Sequence, residues 1–174
     1  MLDCGCPADF PAWNDEDIDL GGYCTHSLPI PNLLHMPLAF ESCLQRQNQA
    51  IQQLQLVERW PGLVLTRTGL FRGSITRLLE DVSSLSRHVH YLPGPFMVYA
   101  KRHHGNVSTS RTAIRETQMI LLDSGRMPKE LYLCHLSCPR CETKRSGEQI
   151  LLLRRWVESP TLKKRQQSRS RRQS

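Results

Sequence analysis

The four residues Cys138-Pro139-Arg140-Cys141 constrain this chain more than any other feature. Two thiolates this close in a tight turn can reach one tetrahedral ion, at metal–sulfur distances of about 2.3 Å. The enclosed proline lowers the entropy lost in forming the turn. Knuckles of this kind sit on hairpins, and the apolar runs at residues 131–136 and 149–157 supply a strand on each side. One such pair is half a site. Cys4-Gly5-Cys6 is the best second half, because glycine lets the backbone fold so that both thiolates face one ion. The two pairs together would close the N-terminal segment onto the end of a sheet. Cys24 and His26 are competing donors, and Cys134 lies four residues before Cys138.

Thiolate sites accept zinc or iron, so zinc is the expected cofactor and an iron–sulfur cluster the alternative. Cys134-x-x-x-Cys138-x-x-Cys141 has the spacing that holds a 4Fe–4S cluster in radical-SAM enzymes, although there the motif follows the first strand of a larger barrel. A thioredoxin-like redox pair would sit at a helix N-terminus, and the polar stretch after Cys141 does not read as a helix. Cys43 falls on the apolar face of a helix and reads as core.

Length and composition agree with one metal-stabilised domain. A chain of 174 residues that is 39% hydrophobic and 22% charged builds one core. The start lacks the basic and apolar segments of a signal peptide, and no apolar run is long enough to span a bilayer. These features predict a soluble cytoplasmic protein with no membrane partner. In that reducing setting, seven cysteines point to metal or redox chemistry rather than disulfides. The net charge of +7 is uneven. Asp3, Asp9, Asp15, Glu16, Asp17 and Asp19 make the start acidic, while Lys163, Lys164, Arg165, Arg169, Arg171 and Arg172 make the end basic. Such a tail suits DNA, RNA or an acidic protein, though it also serves solubility alone.

The pattern divides the chain into an irregular arm (1–36), an α+β domain (37–157) and a disordered basic tail (158–174). Pro7, Pro11, Pro29 and Pro31 disfavour a long helix or a central strand in the arm. A helix is predicted from Pro37 to about Val57, with Phe40, Cys43, Leu44, Ile51 and Leu54 near one face. Residues 63–66 suit a buried strand. Ile75, Leu78, Leu79, Val82 and Leu85 predict a helix over 74–85. Residues 88–92 and 96–101 read as a hairpin around Pro93-Gly94-Pro95, followed by a helix to about Ser124 that Gly125 terminates. The order from 63 to 136 is β-α-β-β-α-β, that of a small two-layer, ferredoxin-like or related sandwich. No internal repeat is evident.

Two further constellations stand out. His88 and His90 would share one strand face, and His103-His104 would lie near the ends of the partner strand. Four imidazoles there could form a second metal site that activates water for hydrolysis, although no carboxylate is nearby in sequence. The loop from Thr66 to Ser74 would lead into a helix N-terminus, where Arg67, Arg72 and Ser74 are candidate anion ligands. It matches neither a Walker A loop nor a dinucleotide fingerprint. Three functions stay open: a zinc-stabilised domain that contacts nucleic acid or another acidic partner, a metal-dependent hydrolase using the histidines, and an iron–sulfur or redox protein.

Overall fold

The computed structural model describes residues 1–34 and 36–164. His35 lies outside the described residues, as do the tail residues Arg165, Arg169, Arg171 and Arg172. The strands are β1 (Glu16–Asp19), β2 (Cys24–Leu33), β3 (Met36–Pro37), β4 (Leu65–Arg67), β5 (Arg72–Leu79), β6 (Val89–Tyr91), β7 (Met97–His104), β8 (Arg126–His135) and β9 (Gln149–Glu158). Two α-helices, α1 (Phe40–Gln53) and α2 (Arg111–Asp123), and a 3-10 turn at Glu142–Lys144 accompany them, with a short helical stretch at 160–164.

The strands form one antiparallel sheet in the order β1-β7-β9-β8-β4-β5-β2-β3, with β6 paired to β2. This is a strand-helix-strand-strand unit used twice. β2-α1-β4-β5 and β7-α2-β8-β9 each place their third strand between the first two, and the halves meet where β4 pairs β8. The α+β class is therefore present, and the β-α-β-β-α-β order is replaced by a duplicated β-α-β-β.

The main change is at residues 72–79. Gly73, Ile75 and Thr76 sit in a central strand between β4 and β2 rather than in a helix. The leucine spacing suits either element, and burial on both faces decides it. Ile75 packs with Cys43 under α1, while Leu78 joins the core on the opposite face. Gly73 is needed at this pairing: a Cβ there would lie 2.4 Å from the Arg67 carbonyl oxygen and 2.7 Å from Asn32 Nδ2.

The N-terminal segment is also more ordered than its prolines imply. β2 is a ten-residue strand through Pro29 and Pro31. Its odd-numbered amides point outward, as the Ser27 N–H to His88 O bond shows, and the two prolines fall in that outward register. Proline is tolerated where no ladder bond is lost. Beyond β9, residues 160–164 are helical, and Lys163 pairs with Glu158, so the described start of the tail is structured.

The helices cover one face of the sheet. Leu28, Ile30 and Ile75 pack with Cys43, and Leu121 packs with Tyr99 and Trp156. The other face carries the largest core cluster, including Leu65, Val98, Leu136 and Leu153, with Phe10, Trp13 and Trp60 laid against it. The acidic arm is thus a covering layer. Trp13 meets Trp60 edge-on at 5.2 Å, and Asp17 accepts from Trp156 Nε1 at 2.8 Å and from Arg126 at 2.6 Å.

Candidate functional site

The knuckle lies between β8 and β9. The Cys141 and Glu142 amides both donate to the Cys138 carbonyl at 2.9 Å, and the Cys138 amide points at Cys141 Sγ at 3.3 Å. Across from it, the Gly5 amide bonds Leu2 O at 2.9 Å, and Gly5 takes φ +88, a left-handed value suited to glycine. Arg145 holds the arm by donating to the Pro7 and Ala8 carbonyls at 2.7 Å each. Gly62 lies beneath: a Cβ there would come within 3.0 Å of the Gly5 oxygen.

These contacts bring Cys4, Cys6, Cys138 and Cys141 together, with all four sulfurs within 4.8 Å of one another. Cys138 Sγ and Cys141 Sγ are 3.9 Å apart. Sulfurs around a tetrahedral ion at about 2.3 Å would be about 3.8 Å apart, so the spacing suits four ligands of one ion. All four thiols are free, and the cluster can hold a metal ion. The Cys6 amide donates to the Cys4 sulfur and draws its thiol down to about 7. Burial pushes Cys6 and Cys141 up. One thiolate therefore forms readily near neutrality, and an arriving cation would have to displace protons from Cys6 and Cys141.

The competing donors go elsewhere. Cys134 is fully buried in the main core, where burial raises its thiol, so the three-cysteine cluster spacing is not assembled. Cys24 packs with Ile51 and Leu79. His26 is buried under α1, where Gln47 Nε2 approaches its Nδ1 at 3.3 Å and donates to its carbonyl at 3.0 Å. The residues after Cys141 form a short 3-10 turn rather than a redox helix.

The histidine hairpin does not form. β6 pairs with β2, whereas β7 pairs with β1 and β9. His88 precedes β6, so strand alternation does not apply to it, and its ring lies 6.0 Å from His26. His90 faces a separate pocket. His103 bonds Thr109 Oγ1 at 2.9 Å, and His104 pairs with Gln149 at the far end of β7. Among the described residues, no ligand group of three or more includes a histidine.

Burial holds His26 below its ordinary value of 6.5, with His88, Arg77 and His90 adding in the same sense. The sign follows directly. Above pH 6.5 the ring is neutral in both folded and unfolded chains and contributes no pH dependence. Below 6.5 the unfolded chain takes up the proton first, so stability falls on acidification. Melting temperatures of the protein between about pH 7.5 and 5.5 should fall more steeply than those of His26→Gln. Parallel curves would remove His26 from the account.

The anion ligands also rearrange. Ser74 lies in β5 rather than at a helix start, directly opposite Arg67 of β4. Both line a cavity of about 340 Å³ on the sheet face away from α1. Arg72 lies outside it, exposed at the strand end. Ser27 and Thr76 add hydroxyls that share a 2.9 Å hydrogen bond, and Leu65, Leu92 and Phe96 supply apolar wall. Tyr132 reaches in from β8, and burial keeps its phenol protonated to high pH, as a donor. Arg67 makes no ion pair among the described residues. The missed signal was the alternation Thr25-Ser27 and Ser74-Thr76, two polar stripes on neighbouring strands that share one sheet face.

No family model matches the sequence, and no curated protein matches it. The fold has known counterparts. The crystal structure of the EcmrR C-terminal domain is similar with a TM-score of 0.61 at 8% identity, covering 85% of this chain and 99% of that one. The cryo-EM structure of an EcmrR–DNA complex in EcmrR-RPo is similar at 0.55 and 9% identity, covering 82% of this chain and 56% of that one. At such identities the likeness is one of fold. Among the described residues, no helix is long and apolar enough to cross a membrane.

Proposed function

We propose that the protein is a non-catalytic binding domain, clasped by a structural zinc at Cys4, Cys6, Cys138 and Cys141, that takes a small anion with an apolar body. The observation that carries the ligand reading is Arg67. Its guanidinium lines an apolar-walled cavity beside hydroxyl donors, with no carboxylate to neutralise it. Arginine recognises carboxylate or phosphate through its planar fork, Arg67 is half-buried at the cavity, and the volume suits a small molecule. Zinc is favoured over an iron–sulfur cluster because the four sulfurs lie within 4.8 Å of one another, close enough to share one tetrahedral ion, and a closed four-thiolate set suits a structural rather than a catalytic ion. The hydrolase reading lacks an assembled histidine site.

Contact with nucleic acid or an acidic protein is the second reading. The basic run that starts at Lys163 and Lys164 supports it, and the similarly folded EcmrR is found in complex with DNA. One titration separates the two. Calorimetry with benzoate and related aryl carboxylates should give saturable binding that weakens roughly ten- to a hundredfold in Arg67→Gln, the effect of losing a charged hydrogen bond. Benzamidine, with the same ring and opposite charge, should not bind. Equal binding of both probes, or no change in Arg67→Gln, would sink the anion reading. Low-salt binding of duplex DNA that disappears on removing residues 160–174 would support the second.

A further inference from the structure

Two neighbouring turns at one end of the sheet carry an apolar surface that neither the metal clasp nor the pocket uses. Leu33 ends β2, Leu34 follows it in the β2–β3 turn, Met36 lies in β3 and Leu38 just after it, while Leu70 and Phe71 belong to the β4–β5 turn. All six are exposed, from 45% for Leu70 to 71% for Met36. The turns lie side by side: the Asn32 amide donates to Phe71 O at 3.0 Å, and the Leu38 amide to Pro31 O at 2.8 Å. Pro31 in turn pairs with Arg72. Scattered exposed leucines are ordinary, but six large apolar side chains on adjacent turns form a patch that calls for a partner. Leu34 also takes φ +48, a conformation unfavourable for a residue with a Cβ and one that recurs where function demands a particular presentation.

We infer that this end of the molecule docks on an anionic membrane surface. The charge arrangement selects the occupant. Arg72 follows Phe71 directly and makes no ion pair among the described residues, and the whole chain carries +7. Turn residues that enter the boundary between headgroups and acyl chains would leave Arg72 at phosphate level, where its stem lies in apolar surroundings and its guanidinium meets anions. The apolar residues are exposed and do not line the cavity that holds Arg67, so they offer a surface to be inserted rather than a groove to be filled. Surface contact of this kind departs from the expectation, drawn from the sequence, of no membrane partner, and it needs no membrane-crossing helix. Glu41, in the first turn of α1, is the acid that a docked surface would have to tolerate.

Co-sedimentation of the full zinc-loaded chain with vesicles tests this. Vesicles of phosphatidylcholine with about 30 mol% phosphatidylserine should bind the protein, and pure phosphatidylcholine should bind it at least about tenfold more weakly. Phe71→Ser and Met36→Ser should each lower binding by about tenfold, the factor expected for withdrawing one large apolar side chain. Arg72→Gln should erase most of the preference for phosphatidylserine. Each variant should melt as wild type does, since these side chains are exposed. Unchanged binding in Phe71→Ser with loss on deleting residues 160–174 would overturn the inference and assign any lipid contact to the tail. A concentration-dependent dimer in sedimentation velocity that Phe71→Ser dissolves would overturn it as well, because the patch would then be covered by a second copy.

Discussion

Replacing Cys138 by serine should remove the bound metal and lower the melting temperature by roughly 8–20 °C. The size follows from where the four ligands lie. A metal held by Cys6 and Cys138 closes nearly the whole chain into one loop, and a covalent link over a comparable distance stabilises by about 4–5 kcal/mol in the chain-entropy view. In a domain of this length, each kcal/mol moves the midpoint by about 2–4 °C. Elemental analysis of untagged protein should find one zinc per chain in the wild type and almost none in Cys138→Ser. Cys134→Ala should keep its metal, because that thiol is buried in the core rather than in the cluster. Chelation of the wild type should reproduce the variant. Faster amide exchange should be confined first to residues 1–13, the part of the arm that precedes the β1 pairing. Full metal content in Cys138→Ser would remove the clasp, and a brown, iron-containing protein would replace zinc with a cluster.

The four-cysteine cluster was legible because its chemistry is local on each side. Cys-x-x-Cys and Cys-x-Cys carry their turn geometry within three or four residues, and only their meeting is long-range. The competing set with Cys134 has the spacing of a cluster motif as well. What separates it is strand alternation: β8 turns Cys134 into the core and ends before Cys138, which is free to face the arm. A one-dimensional spacing cannot express that difference.

The fold was legible in its second half and not in its first. α2, β8 and β9 follow the expected pattern, and α1 is found at 40–53 within the predicted 37–57. Two physical causes account for the rest. Ile75, Leu78 and Leu79 satisfy a helical spacing, yet residues buried on both faces of a strand produce the same run, and the sheet on either side outweighs the local preference. Pro29 and Pro31 look like strand breakers until their partner is known, since their missing donors matter only on the side that carries a ladder. Misplacing β2 and β5 hid the duplicated unit, and with it the two polar stripes of the pocket. The histidine pairs failed for a related reason: Pro93-Gly94-Pro95 makes a turn, but the strand that β6 pairs with is β2, far away in sequence.

Breaking the ion pair beneath α1 should be the most destabilising point change outside the metal site. Arg77 is 2% exposed in the middle of β5. Its Nη1 donates to Glu58 Oε2 at 2.5 Å and its Nη2 to Asn48 Oδ1 at 2.7 Å, so one guanidinium joins the sheet to α1 and to the loop after it. Glu58 Oε2 also accepts from the Gly62 amide at 3.2 Å, which places the ion pair beside the residue that supports the cysteine arm. A buried pair contributes little relative to two apolar side chains, because desolvation offsets the attraction, but removing one partner strands the other. Arg77→Met and Glu58→Met should each therefore cost about 3–5 kcal/mol in urea unfolding of the zinc-loaded protein, with the m-value unchanged. The double variant should be more stable than the sum of the singles predicts, the signature of a stranded charge relieved. Arg77→Lys should recover little, since a single ammonium cannot reach two acceptors held apart by the guanidinium fork. Single variants that cost under about 1 kcal/mol would show that water reaches the pair and screens it like a surface contact.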